Sequence, residues 1–228
     1  MGWVACGSRW SFIMNILCLA PVHGHKRKLL ESSLAQFEAQ THANKFLAMF
    51  DDQGNITPAG GEQWSVMATQ AAHPAKRATK YNLLLNMIHE WGYPFDAVAV
   101  WEPYAIYLPW HLAAISGALT RQRWAMPSMS LMLAAKGHTA QGSSPYGIAA
   151  RRDHLVGVGG WPPVADSHLW GGLVGRLAGN PWTKAADPCQ THKPSVVVGR
   201  QTWRTTRPIE NLKPVLCEPA KAIFQEFN

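Results

Sequence analysis

The sequence carries no C-x-x-C pair, no phosphate-binding G-x-x-x-x-G-K-S/T loop and no G-x-G-x-x-G dinucleotide fingerprint. Its four cysteines, Cys6, Cys18, Cys189 and Cys217, stand at no metal-ligand spacing and read as solitary reduced thiols; a Cys189–Cys217 bridge is allowed but not implied. His89-Glu90 lacks the second His of a zinc-protease helix, and Gly142-Ser143-Ser144-Pro145-Tyr146-Gly147 misses the nucleophile-elbow spacing by one residue. Counting back from Gly54 in Asp51-Asp52-Gln53-Gly54 puts Met49 at the first ligand position of a calcium loop, which excludes that loop and leaves a polar turn. The ten histidines are scattered, with His23 and His25 the one close pair. Asp153-His154 and Asp166 with His168 could orient an imidazole, but an acid–base pair needs a geometry that sequence cannot supply. No metal, no cofactor and no catalytic residue is therefore expected.

Charge is also scarce, at 15% of 228 residues, and no uncharged apolar run reaches the roughly 20 residues of a spanning helix. Residues 10–22 are too short, although they are apolar and are followed by His25-Lys26-Arg27-Lys28. They are expected to serve as a targeting or membrane-surface stretch, the alternative being a helix or strand buried against the core. Residues 103–119 carry no formal charge, but Pro109 and His111 interrupt them, and they read as buried core.

What is present is apolar patterning. The apolar fraction of 47% can bury a core. Residues 28–50 place Leu30, Leu34, Phe37, Phe46, Met49 and Phe50 on one helical face, and residues 61–72 read as a further helix ended by Pro74. Residues 80–91 put Tyr81, Leu84, Leu85, Ile88 and Trp91 at i, i+3, i+4, i+7 spacing, and Gly92 stops them. Ala97, Val100, Trp101 and Tyr104 extend a second apolar face until Pro109; residues 110–119 and 127–135 give two more. Short helices joined by short turns predict stacked antiparallel hairpins. The fold class expected is mainly α, with extended Pro-rich terminal arms. The expected division is an apolar segment at 1–25, a helical hairpin domain at 26–137 and a loop-rich region with a C-terminal arm at 138–228.

Tyr81-Asn82-Leu83-Leu84-Leu85, followed by Gly92, Ala97 and Trp101, resembles one pentatricopeptide repeat. Ala114-Ile115-Ser116-Gly117-Ala118-Leu119 with Arg123-Trp124 resembles a second copy, 30 residues on and shorter than that family's repeat. Pro127 stands where the family pattern wants the small residue seen at Ala97. The base-reading position after Asn, polar in that family, is Leu83 here and Ala113 in the second copy. The resemblance covers about a quarter of the chain and implies a helical-repeat fold more than an RNA code.

The net charge of +7 suits nucleic acid, anionic lipid or acidic protein partners, and eleven Trp with sixteen Pro suit surfaces covered by other proteins. The expected function is a non-catalytic accessory subunit of a large assembly in a mitochondrion or other organelle, a respiratory complex or ribosome. It would dock through a C-terminal arm anchored by Trp182 and Trp203, with Arg200 and Arg204 flanking the latter. The alternative is an RNA-binding protein using Lys76, Arg77, Lys80, Arg121, Arg123, Arg151 and Arg152 as phosphate contacts.

Overall fold

The structure, a computed structural model, describes residues 14–22, 27–54, 56–68, 75–103, 105–127, 130–133, 138–142, 147–165, 168–179, 189–191, 196–198 and 207–208. In chain order the elements are β1 (Ile16–Val22), α1 (Arg27–Glu38), β2 (Lys45–Asp51), β3 (Ala59–Gly60), β4 (Trp64–Ala68), α2 (Arg77–Glu90), β5 (Ala97–Val100), β6 (Ala105–Tyr107), α3 (His111–Leu119), β7 (Trp124–Pro127), β8 (Ser130–Leu133), β9 (His138–Gly142), β10 (Ala149–Arg151), α4 (Arg152–Gly157), α5 (Leu169–Leu177), β11 (Cys189–Thr191), β12 (Val196–Val198) and β13 (Arg207–Pro208). The early alternation of strand and helix is what builds a parallel sheet.

Eight strands form one sheet in the order β11-β7-β10-β5-β1-β2-β4-β3, and five form a second in the order β13-β9-β8-β12-β6. In the first sheet β1 runs parallel to both β2 and β5, and β2 parallel to β4. β10 is inserted antiparallel between β5 and β7, and β11 is parallel to β7. All seven residues of β1 and all four of β5 are buried, as expected of strands covered on both faces. Their side chains alternate between two cores. Ile16, Cys18, Ala20 and Val22 join Ala97 and Ala99 against α1 and α3, through Leu30, Phe37, Leu112 and Ile115. Leu17 and Leu19 join Val98 and Val100 against α2, α4 and α5, through Tyr81, Leu84, Leu155 and Leu173.

The mainly α expectation is therefore corrected. The supposed single helix at 28–50 is α1 followed by β2: the chain turns at Thr41, whose N–H donates to Pro109 O at 2.8 Å, and Lys45–Asp51 pairs with β1 along its whole length. Residues 61–72 hold β4 rather than a helix, and Ala97–Val100 is a strand rather than a hairpin's second helix. The helical spacing of Ala97, Val100 and Trp101 passed over Val98 and Ala99, which are equally buried. A run this short and wholly apolar has no period that separates the two forms. The region of pentatricopeptide resemblance thus folds as α2, β5, β6, α3, β7 and β8 instead of stacked hairpins. Within the N-terminal apolar segment, residues 16–22 are the central strand β1, and residues 103–119 contain β6 and α3. No helix among the described residues is long and apolar enough to cross a membrane. Strands from all three expected segments share the two sheets.

One long-range clasp fixes the far end of the fold. The Asn82 side-chain amide donates to Trp161 O at 3.0 Å and accepts from Trp161 N–H at 2.9 Å. Arg176 of α5 donates to the carbonyls of Gly159 and Gly160 at 2.9 and 3.2 Å. Gly160 has φ +67°, and a Cβ there would lie 2.6 Å from Asn82 Oδ1. Gly160→Ala is therefore expected to destabilise the protein by roughly 1–3 kcal/mol, through a strained φ and a broken clasp. Gly157→Ala, where a Cβ meets nothing within 4 Å, should shift stability by less than about 1 kcal/mol. Urea melts of the two variants give the comparison, and equal effects would refute this account.

Candidate functional site

In an open α/β sheet the ligand crevice lies outside the carboxyl ends of the strands, where the strand order reverses. Here β1 is that point, with β2 on one side and β5 on the other. Three carboxylates collect there: Asp51 and Asp52 at the end of β2, and Glu102 two residues past β5. All are buried, and each is compensated locally.

Asp51 closes the turn after β2, its two oxygens accepting the N–H groups of Gln53 and Ile56, each at 2.9 Å. Asp52 is bridged by Lys80 of α2 and accepts the Ala75 N–H at 2.6 Å. Lys80, itself fully buried, also donates to Val22 O at 2.9 Å, which ties α2 to the end of β1. Burial pushes the Asp52 carboxyl up, but the hydrogen bonds from Lys80 and Ala75 and the Lys80 charge outweigh it and hold the group below its ordinary 3.8. Its contribution to stability is thus present above that value and is lost as pH falls below it.

Glu102 has no exposed surface. Its Oε1 accepts from Tyr81 Oη at 2.8 Å and faces Arg77 Nη1 at 3.6 Å. Arg77, Lys80 and Tyr81 all belong to the first turn or so of α2, so one helix start neutralises two carboxylates on different strands. Burial and the Glu102 charge drive the Tyr81 phenol far above its usual value and keep it a donor. The backbone of Glu102 is held from the other side: its N–H donates to Tyr107 Oη at 2.7 Å. Tyr107 N–H in turn donates to Gln36 of α1 at 2.7 Å. Trp101 stacks on Tyr107 with ring centroids 3.8 Å apart and donates its indole N–H to Ser33 at 2.9 Å. Beyond Tyr81, Trp161 stacks on its ring at 4.7 Å and Trp170 meets its edge at 5.8 Å. Trp161 and Trp170 therefore both stand against the side chain that donates to Glu102.

The charged residues read from sequence as one phosphate-contacting set are divided. Lys76, exposed, and Arg77 and Lys80 stand at the carboxyl edge, with Lys80 committed inside the fold. Arg121 and Arg123, exposed, precede β7 at the opposite edge. Arg151 donates to the carbonyls of Leu119 and Thr120 at 2.8 and 3.1 Å, and Arg152 lies over the Phe95 ring and bonds to His89 Nδ1. These four cations lie at the sheet's amino edge, since Arg152 N–H donates to Asp96 O just before β5. The two groups stand at opposite edges of the sheet. Trp182, Arg200, Trp203 and Arg204 lie outside the described residues.

Sequence reasoning missed Asp52, Glu102, Tyr81 and Trp161 as a constellation. The available signal was two apolar runs, 16–22 and 46–50, which stop at His23 and at Asp51-Asp52, as strands do at a ligand-facing edge.

The solved structures that resemble this chain agree with the geometry. A mannosyltransferase, PcManGT from Pyrobaculum calidifontis in complex with GDP-Man and Mn2+, matches over 94% of this chain and 70% of its own, with TM-score 0.52 and 12% identity. TarS of S. aureus matches over 82% of this chain and 37% of its own, with TM-score 0.56 and 10% identity. No protein-family model and no curated protein matches the sequence. The chain thus has an α/β fold that resembles the folds of these two proteins. This likeness overturns the expected non-catalytic accessory subunit of a respiratory complex or ribosome and the alternative RNA-binding repeat protein, for both of which a stack of helical hairpins was one ground.

Two outcomes follow from the buried charges. Lys80→Met leaves Asp52 buried without its cation and should cost about 3–5 kcal/mol, whereas Lys80→Met combined with Asp52→Leu should recover most of that loss. A double-mutant cycle from denaturant melts checks the coupling; additive losses would contradict it. His111, fully buried beside Tyr107, is held by burial down to about 3. Its folded value is below the ordinary 6.5, so the unfolded chain takes up a proton that the fold refuses as pH drops below 6.5. Stability should fall by about 1.4 kcal/mol per pH unit between pH 6 and 5 from this residue. His111→Phe should remove that slope, measured by urea melts across the interval.

Proposed function

We propose that this protein is a glycosyltransferase that takes its sugar from a nucleotide sugar and passes it to a hydroxyl acceptor. The observation that carries the reading is the polar constellation at the strand-order reversal, Asp51, Asp52, Arg77, Tyr81 and Glu102, in a fold shared with a mannosyltransferase solved with GDP-Man. In the transfer, the bond from the anomeric carbon to the diphosphate oxygen breaks and the acceptor oxygen bonds to that carbon. The nucleoside diphosphate leaves, and the acceptor proton needs a base.

A panel of GDP- and UDP-linked sugars provides the test. At about 100 times its Kd, a bound donor adds roughly 2.7 kcal/mol of stability, a shift of several degrees in Tm for a chain of this size. The expected result is such a shift with one class of donor, together with slow release of the nucleoside diphosphate. A panel in which no donor shifts Tm or is consumed would refute the reading.

A further inference from the structure

The mannosyltransferase that shares this fold was solved with Mn2+. A hard divalent cation at such a site needs several oxygen ligands, with carboxylates supplying the charge. The residues here do not fit one. Among the described residues there is no group of three His, Cys, Asp or Glu that could hold a metal ion. The turn after β5 reads Trp101-Glu102-Pro103 and brings one carboxylate. One oxygen of that carboxylate is already committed: Glu102 Oε1 takes the Tyr81 hydroxyl and lies 3.6 Å from the Arg77 guanidinium. Asp52 is bridged to Lys80, and the Asp51 oxygens close their own turn. A divalent ion entering this cluster would face Arg77 and Lys80 at close range and would have to strip hydrogen bonds from buried groups.

Resting on the nucleotide-sugar reading above, we infer that this site works without a divalent cation, and that Arg77 carries the positive charge that faces the donor's diphosphate. Arg77 suits the role. Its side chain is 20% exposed while Glu102 beside it is 0% exposed, so the guanidinium stands at the boundary between the buried carboxylate and the crevice. A planar guanidinium with five donors can bond a carboxylate and a phosphate together, which an ammonium point charge does less well. Lys76, exposed one residue earlier, adds charge at the same edge.

The test uses the full chain and three titrations. Mn2+ alone is followed by electron paramagnetic resonance of the free ion. GDP and UDP are each titrated by calorimetry, once in EDTA and once in millimolar Mn2+. The expected results are no stoichiometric Mn2+ binding and a nucleotide Kd that differs less than threefold between EDTA and Mn2+. Arg77→Gln should weaken the nucleotide at least tenfold and Arg77→Lys less so, with Mn2+ restoring neither; thermal melts confirm that both variants fold. Stoichiometric Mn2+ binding, or a tenfold gain in nucleotide affinity with Mn2+, would overturn the inference while leaving the nucleotide-sugar reading intact. Unchanged nucleotide affinity in folded Arg77→Gln would remove Arg77 from the role. Nucleotides that bind in neither condition would refute the nucleotide-sugar reading, and this inference with it.

Discussion

A carboxylate with no exposed surface costs several kcal/mol unless something nearby answers its charge, and the answer given to Glu102 orders much of this molecule. Arg77 and Tyr81 provide it from the start of α2, which fixes where that helix begins relative to β5. The same helix start reaches Asp52 through Lys80 and the end of β1 through Val22. One short stretch of helix therefore sets the relative position of three adjacent strand ends. Tyr81 then forms the floor on which Trp161 and Trp170 rest, so Trp161 and the start of α5 are placed by the same residue that donates to the carboxylate.

The opposite face of the sheet does a complementary job with uncharged groups. Trp101, Tyr107 and Phe37 pack ring against ring, and Ser33, Gln36 and Gln40 of the α1 region satisfy the polar atoms that this packing buries. Glu102 thus sits at the junction between the two sheets, with its side chain governed from α2 and its backbone from Tyr107 of β6. Polar satisfaction on both sides is what allows an irregular turn to remain buried between two layers.

Part of this was legible in the sequence. The amphipathic spacing of residues 80–91 and the apolar stretch 110–119 locate α2 and α3, and the valines at 196–198 locate β12. The strands were not legible for a physical reason. β1, β2 and β5 are buried on both faces, so they lack the alternation that marks a half-exposed strand, and their apolar residues fall as easily on a helical wheel. Ala97-Val98-Ala99-Val100 is the clearest case: four small apolar residues with no polar phase to break the tie. The site was hidden by separation. Glu102 stands in an otherwise uncharged run beside a tryptophan and a proline, and its partner Tyr81 lies 21 residues earlier in a stripe that reads as plain core. Lys80 reads as a surface cation because its ion pair is closed only when β2 and α2 meet.

The arrangement of β1 has a consequence in time. Its seven buried residues are the first of the described strands to be made, yet the strand that covers its second edge is joined through contacts 81 residues further along the chain. At about 5–20 residues per second of synthesis, that interval is on the order of 4–16 s. Throughout it, β1 presents an apolar, open edge with only β2 beside it. The strand at the centre of the finished sheet is thus made with one edge open to wrong partners until β5 arrives.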